Sequence, residues 1–228
     1  MFSFFDVDTV FFTVGRQAVS YLEVLCTLAG LVCIFLAMRA KTTNFWIGYL
    51  YNILLFPLFL QKGLYASMLL QPAGFAITLF GHYRWTHPRK KEENRRHELK
   101  ITRLGGRSWM ATLLTVVVLT VGLGTLFSNL HRWIPAVRPA QQPFLDSFIL
   151  VMILTAQWLS AQKKLDCWAA WMTVNVVNTI RYPFGGLIFL AIESGSKIII
   201  ASFGFLHWLK KYREDREASS EEGGAAGF

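Results

Sequence analysis

Apolar residues gather along this chain into seven windows of 17 to 23 residues, separated by short polar segments. The windows fall near residues 20–38, 43–61, 63–83, 110–130, 146–162, 168–184 and 187–209. A helix needs about 20 apolar residues to cross a bilayer. The pattern therefore predicts an all-α polytopic membrane protein with seven transmembrane helices.

Residues 1–19 form an N-terminal segment that is apolar and aromatic but too short to cross a membrane. Asp6 and Asp8 interrupt it, and it lacks the basic start of a cleaved signal peptide. We expect an interfacial helix that lies on the outer surface.

Composition agrees with a membrane protein, since 54% of the 228 residues are hydrophobic and 16% are charged, against about 25% charged in soluble domains. The net charge is +9, and basic residues cluster in the loop at 86–109 and at the start of the tail at 210–228, where Lys210, Lys211, Arg213 and Arg216 lie. The positive-inside rule places both in the cytoplasm and the N-terminus outside. This explains the charge without nucleic acid; a patch for nucleic acid or anionic lipid is the alternative.

The chain also matches itself. Residues 21–85 align without gaps to 144–208 at an interval of 123, with eleven identities in 65 positions. Aliphatic matches are common between apolar helices, so the other identities carry the argument. These are Lys41/Lys164, Asn52/Asn175, Gly63/Gly186, Gly81/Gly204 and Trp85/Trp208.

Each repeat holds three spans, so two copies share one orientation only if a single span separates them. The window at 110–130 is that separator, and the pattern predicts a parallel 3+1+3 duplication of the SWEET type. The expected units are a first repeat at 20–85, a linker helix with an outer loop at 110–142, and a second repeat at 143–209.

Polar residues at membrane depth are the candidate functional residues, because hydrocarbon penalises an unpaired polar group. They carry carboxamides, which suit a neutral solute with hydroxyl and amide groups. The set comprises Asn52, Gln71, Gln157, Asn175 and Asn178. The alternative role is hydrogen bonding between helices, worth about 0.6 kcal/mol per pair.

Aromatic and charged residues extend this set. Trp168 and Trp171 lie three residues apart and suit either ring stacking or an interfacial belt. Glu193 and Lys197, placed in the outer half of the last span, have the spacing of an ion pair. No catalytic constellation, metal-ligand cluster or cofactor motif appears, so we predict neither an enzyme nor a bound cofactor.

Three segments resemble the bacterial nicotinamide riboside transporters, the PnuC family, whose relatives include thiamine and riboflavin carriers. They are TNFWIGYLYN with LYASMLLQ (43–52 and 64–71), GHYRW (81–85) and QWLSAQKKLDCWAAWMTVNVVNTIRY (157–182). The resemblance covers about residues 21–209.

The resemblance implies a SWEET-like homotrimer in the bacterial inner membrane with a substrate site in each protomer. It implies facilitated diffusion, with a cytoplasmic kinase trapping the vitamin by phosphorylation. Trp168 and Trp171 become stacking candidates, Asn175 and Gln157 hydrogen-bonding candidates, and Lys163 an orienting residue on the cytoplasmic side. Asn178 and Arg181 depart from the family's usual aromatic or aliphatic residues, which bears on the choice of vitamin.

The leading hypothesis is thus a uniporter that imports nicotinamide riboside. A carrier for thiamine or another vitamin is the first alternative. A sensor or scaffold that does not transport, with its basic loop docking a cytoplasmic partner, is the second.

Overall fold

A computed structural model describes residues 6–15, 17–61, 65–94, 96–133, 142–184 and 188–225. Within these residues it contains seven α-helices, a short 3-10 helix (Lys90–Glu92) and one two-stranded hairpin. The helices are α1 (Tyr21–Met38), α2 (Asn44–Gln61), α3 (Tyr65–Thr86), α4 (Gly106–Trp133), α5 (Pro143–Ala161), α6 (Cys167–Phe184) and α7 (Ile188–Ala225). The predicted seven helices are confirmed, and α7 continues through most of the predicted tail.

Four of these helices, α1, α4, α5 and α7, are long and apolar enough to cross a membrane, counting only the described residues. The other three contain polar residues of the candidate site, such as Asn52 in α2 and Asn175 in α6. Large apolar side chains are exposed on the outside of the bundle, for example Leu114 and Val117 of α4. Such a continuous apolar exterior is typical of a surface covered by lipid.

The described part of the N-terminal segment contains a β-hairpin at residues 10–20, so the expected interfacial helix is wrong there. Strand β1 (Val10–Val14) pairs antiparallel with β2 (Gln17–Ser20), with Val14 opposite Gln17. Aromatic and β-branched residues in β1 favour a strand over a helix. Gly15 adopts a φ of +61°, which suits the tight turn.

Six helices form a closed ring in which α1 packs on α2, α2 on α3, α3 on α5, α5 on α6, α6 on α7 and α7 on α1. Helix α4 lies outside the ring and packs mainly on α5. We call α1–α3 the first unit and α5–α7 the second unit. The ring places α2, α3, α5 and α6, which carry the candidate polar residues, side by side.

Two tryptophans link the units reciprocally. Trp85 at the end of α3 donates its indole N–H to the carbonyl of Ser160 in α5 at 3.2 Å. Trp208 of α7 donates to the carbonyl of Ala37 in α1 at 3.1 Å. Both the donors and the acceptors are related by the interval of 123 residues, and the two indole rings lie 5.8 Å apart.

Other contacts at this end of the bundle repeat at the same interval. Phe45 lies edge-on to Trp85 at 5.1 Å, and Trp168 lies edge-on to Trp208 at 5.4 Å. A methyl group on Gly81 would overlap Phe45, and one on Gly204 would overlap Trp168. The matches at Gly63/Gly186 and Leu64/Leu187 lie outside the described residues.

The basic loop (residues 86–109) packs into this end of the bundle, which we call the basic end. Leu99 and Ile101 are buried in the same core cluster as Trp85 and Leu165. Thr102 exchanges backbone hydrogen bonds with the segment after α5, donating to Lys163 and accepting from Leu165. The sequence predicted a charged cytoplasmic loop, whereas its apolar residues complete the core.

Candidate functional site

Asn52 and Gln157 converge on a glycine in the middle of the ring. A Cβ atom on Gly74 of α3 would lie 3.2 Å from Oδ1 of Asn52 and 3.3 Å from Oε1 of Gln157. Asn52 belongs to α2 and Gln157 to α5, so the cluster joins the two units. The missing side chain of Gly74 leaves the space into which both carboxamides project.

The hydrogen bonds in this cluster leave acceptors available. Nδ2 of Asn52 donates to the carbonyl of Gly48 at 2.7 Å. Oε1 of Gln157 is buried and has no hydrogen-bond partner among the described residues. Burying an unpaired carbonyl oxygen costs about 1–3 kcal/mol, which a donor on a ligand or a water would offset.

Asn175 in α6 repeats the geometry of Asn52. Its Nδ2 donates to the carbonyl of Trp171 at 2.8 Å, and Trp171 stands 123 residues after Gly48. Asn178 lies three residues further along and is also buried. One face of α6 therefore presents Trp171, Asn175 and Asn178 in succession. Gln71 is partly buried on α3, three residues before Gly74.

The two tryptophans of α6 have different environments. Trp168 is 1% exposed, and its ring lies between Gly204 and Trp208 of α7. Trp171 is partly buried at the edge of the same core cluster. In this conformation Trp171 is the more accessible ring, and stacking on Trp168 would require α6 to separate from α7.

Lys163 lies apart from the carboxamides, at the basic end. It is 3% exposed, adopts a φ of +54°, and holds Nζ 4.8 Å from the centre of the Trp85 ring and 4.0 Å from Oε2 of Glu98. Burial lowers the pKa of its ammonium group to about 8, although Glu98 opposes this shift. Lys163 faces a cavity of about 410 Å³ between the basic loop and the end of α7.

The structure thus brings Asn52 and Gln157 together and joins Asn175 to Trp171, while Lys163 stands at the end of the bundle. Sequence reasoning missed Gly74, whose role depends on two other helices. Its one sequence signal is the interval of 123 residues, which pairs Gly74 with Lys197. The predicted pair of Glu193 and Lys197 is confirmed, with 2.5 Å between Oε1 and Nζ.

Comparison with known proteins gives consistent matches over nearly the whole chain. Residues 20–210 match the nicotinamide mononucleotide transporter family. The chain is 31% identical to the nicotinamide riboside transporter PnuC of Escherichia coli, covering 92% of this chain and 96% of that protein. It is 22% identical to the riboflavin/roseoflavin transporter RibM of Streptomyces davaonensis, covering 90% and 92%.

A solved structure shares the fold. The crystal structure of the vitamin B3 transporter PnuC superposes with a TM-score of 0.65 at 20% identity, covering 86% of this chain and 83% of that one. Several apolar helices and these relatives fit a multi-pass protein of the bacterial inner membrane. The chain therefore belongs to the nicotinamide mononucleotide transporter family, that of the PnuC proteins.

Proposed function

We propose that this protein imports nicotinamide riboside by facilitated diffusion, the two units moving against each other to alternate access to a site between them. The observation that carries the proposal is the meeting of Asn52 and Gln157 from different units in the space left by Gly74. The family membership supports the substrate, because PnuC of Escherichia coli is a nicotinamide riboside transporter. Phosphorylation by a cytoplasmic kinase would trap the imported vitamin.

The architecture we propose is a parallel 3+1+3 duplication of the SWEET type, with α4 as the separator. The reciprocal bonds of Trp85 and Trp208 support it, as does the position of α4 outside the ring. Residues 1–19 precede the repeats as an interfacial segment, and residues 210–228 follow them as a cytoplasmic tail.

For orientation, we propose an outer N-terminus, with the basic loop and the C-terminus in the cytoplasm. The distribution of Lys and Arg supports this assignment. Assembly as a homotrimer is proposed on the family resemblance.

The ligand chemistry matches the residues. Nicotinamide riboside presents a cationic planar ring, a carboxamide and ribose hydroxyls. Tryptophan faces attract a planar cation, and Asn or Gln side chains can pair with the amide and the hydroxyls. We assign stacking to Trp168 and Trp171, hydrogen bonding to the carboxamides of Asn52, Gln71, Gln157, Asn175 and Asn178, and orientation at the cytoplasmic side to Lys163.

Uptake by site variants tests the assignment. Trp171→Ala and Asn175→Ala should each reduce uptake of nicotinamide riboside into proteoliposomes by about five- to tenfold, since a lost ligand hydrogen bond or stacking contact is worth about 1–1.5 kcal/mol. Asn129→Ala is a matched control, because Asn129 of α4 makes the same bond to a carbonyl four residues earlier, outside the ring. Normal uptake by both site variants would refute the site.

A carrier for another vitamin is the second candidate, favoured by the similarity to RibM. Competition by riboflavin and thiamine against nicotinamide riboside separates the two. Uptake into vesicles that contain this protein alone would exclude a sensor or scaffold that does not transport.

A further inference from the structure

An ion pair lies on α7 at the depth of the carboxamides. Asn175 stands nine residues before the end of α6 at Phe184, and Lys197 stands nine residues after the start of α7 at Ile188. Since α6 and α7 are neighbours joined by three residues, they run antiparallel and these two positions are level. Lys197 therefore lies deeper than the outer half to which the sequence assigned it.

The internal repeat at an interval of 123 residues independently places Lys197 at the level of the carboxamides. It relates Lys197 to Gly74, the residue around which Asn52 and Gln157 converge. It also relates Asn175 to Asn52, and the two asparagines make equivalent hydrogen bonds. The first unit thus has a glycine, with no side chain, where the second unit places a lysine.

The surroundings of Lys197 belong to both units. Its ammonium group pairs with Glu193, and Tyr51 of α2 and Tyr182 of α6 lie near this ammonium group. Tyr51 directly precedes Asn52, and Tyr182 continues the face of α6 that carries Asn175 and Asn178. On α1, Cys33 lies near Lys197 and Cys26 near Glu193.

Charged groups in a membrane-spanning helix are costly and usually serve a function. Both side chains are largely buried, at 19% exposure for Lys197 and 11% for Glu193. Because their charges cancel, the pair does not repel a cationic ring. It offers N–H donors next to a carboxylate acceptor, which is the complement of a primary carboxamide.

We propose that Glu193 and Lys197 determine specificity by binding the carboxamide of nicotinamide riboside. Lys197 donates to the amide oxygen, and Glu193 accepts from the amide nitrogen. A carboxylate in place of the amide has no donor and sets a negative charge against Glu193, so the pair rejects the acid analogue. This inference rests on the proposed function.

Binding of nicotinamide riboside and nicotinic acid riboside to the purified full-length protein, measured by calorimetry, tests the pair. The wild type should prefer the amide, and Glu193→Gln should reduce that preference by about tenfold or more, since glutamine can donate to a carboxylate. The variant Glu193→Gln/Lys197→Met removes both charges together, so no buried charge remains unpaired, and should lose most of the preference.

The control is Glu92→Gln in the basic loop, which breaks the ion pair of Glu92 with Arg84, whose charged atoms lie 2.9 Å apart. It should leave the preference unchanged. Equal binding of both ribosides by the wild type, or an unchanged preference in Glu193→Gln, would overturn the role of the pair while leaving the transporter proposal intact. Failure of the wild type to bind nicotinamide riboside would overturn the proposed function itself.

Discussion

The two units resemble each other at the basic end of the bundle and differ in its middle. At the basic end the two units make equivalent contacts, with Trp85 and Trp208 each bonded to a helix of the opposite unit. In the middle, the first unit has Gly48 and Gly74 at the positions where the second has Trp171 and Lys197. Shared contacts thus stabilise the joint between units, while the residues proposed to recognise the ligand differ between them.

If this contrast is correct, substitutions at the basic end should reduce stability. The largest effect is expected for Gly204→Ala, because the new methyl group would lie 2.6 Å from the ring of Trp168. Overpacking of this kind costs about 1–3 kcal/mol, or roughly 2–10 °C in the apparent melting temperature.

Thermal unfolding in detergent measures this change. Gly195→Ala on the same helix is the control, since nothing lies within 4 Å of its added methyl group. It should be neutral or slightly stabilising. Equal melting temperatures for the two variants would contradict the close packing of α7 on Trp168.

The buried ammonium of Lys163 predicts a dependence on pH that is specific to the basic end. Its pKa is about 8, below the ordinary value of 10.5, so between these values the unfolded chain holds a proton that the folded protein has released. The free energy of unfolding therefore rises with pH across this window, by up to about 1.4 kcal/mol per pH unit from this group.

Melting curves from pH 7.5 to 10.5 test this prediction. Lys163→Met should lose the contribution, so its melting temperature should rise less with pH than that of the wild type. Lys164→Met, which removes a neighbouring lysine bonded to Thr102, should keep it. Parallel curves for the wild type and Lys163→Met would refute the burial of this charge.

The smallest effect is expected for the two reciprocal tryptophan hydrogen bonds between the units. Trp85→Phe removes an indole N–H from the carbonyl of Ser160, and Trp208→Phe removes one that is shared between the carbonyls of Ala37 and Met38, each at a cost of about 0.5–1.5 kcal/mol. Since the bonds are equivalent, the two losses in melting temperature should agree closely. A large loss for one variant only would break the equivalence of the units at this end.

Hydropathy predicted the seven helices because each is long and mostly apolar. The internal repeat at an interval of 123 residues was recognisable because tryptophan and glycine rarely match by chance. The packing of Leu99 and Ile101 was not predictable, since two apolar residues among many basic ones look like an ordinary exposed loop. The apolar content of the N-terminal segment predicted an interfacial helix, whereas the β-propensity of residues 10–14 favours the strand that the structure contains.

Within the candidate site, the sequence identified Asn52, Gln157 and Asn175 because polar groups at membrane depth are conspicuous. It could not identify Gly74, because a glycine provides only space and the neighbours that use this space come from α2 and α5. It also could not show that Trp168 is enclosed by α7, since that contact joins Trp168 to Trp208, which is far along the sequence in the next helix.

The N-terminal hairpin has a consequence for biosynthesis. Gln17 accepts a hydrogen bond from the backbone of Phe189, and Phe12 contacts the ring of the same residue. The ribosome makes these partners 172 residues apart, which at 5–20 residues per second is roughly 10 to 30 s. The N-terminal hairpin therefore reaches its contacts with α7 only after this helix begins to emerge, so these contacts form as a late step of membrane insertion.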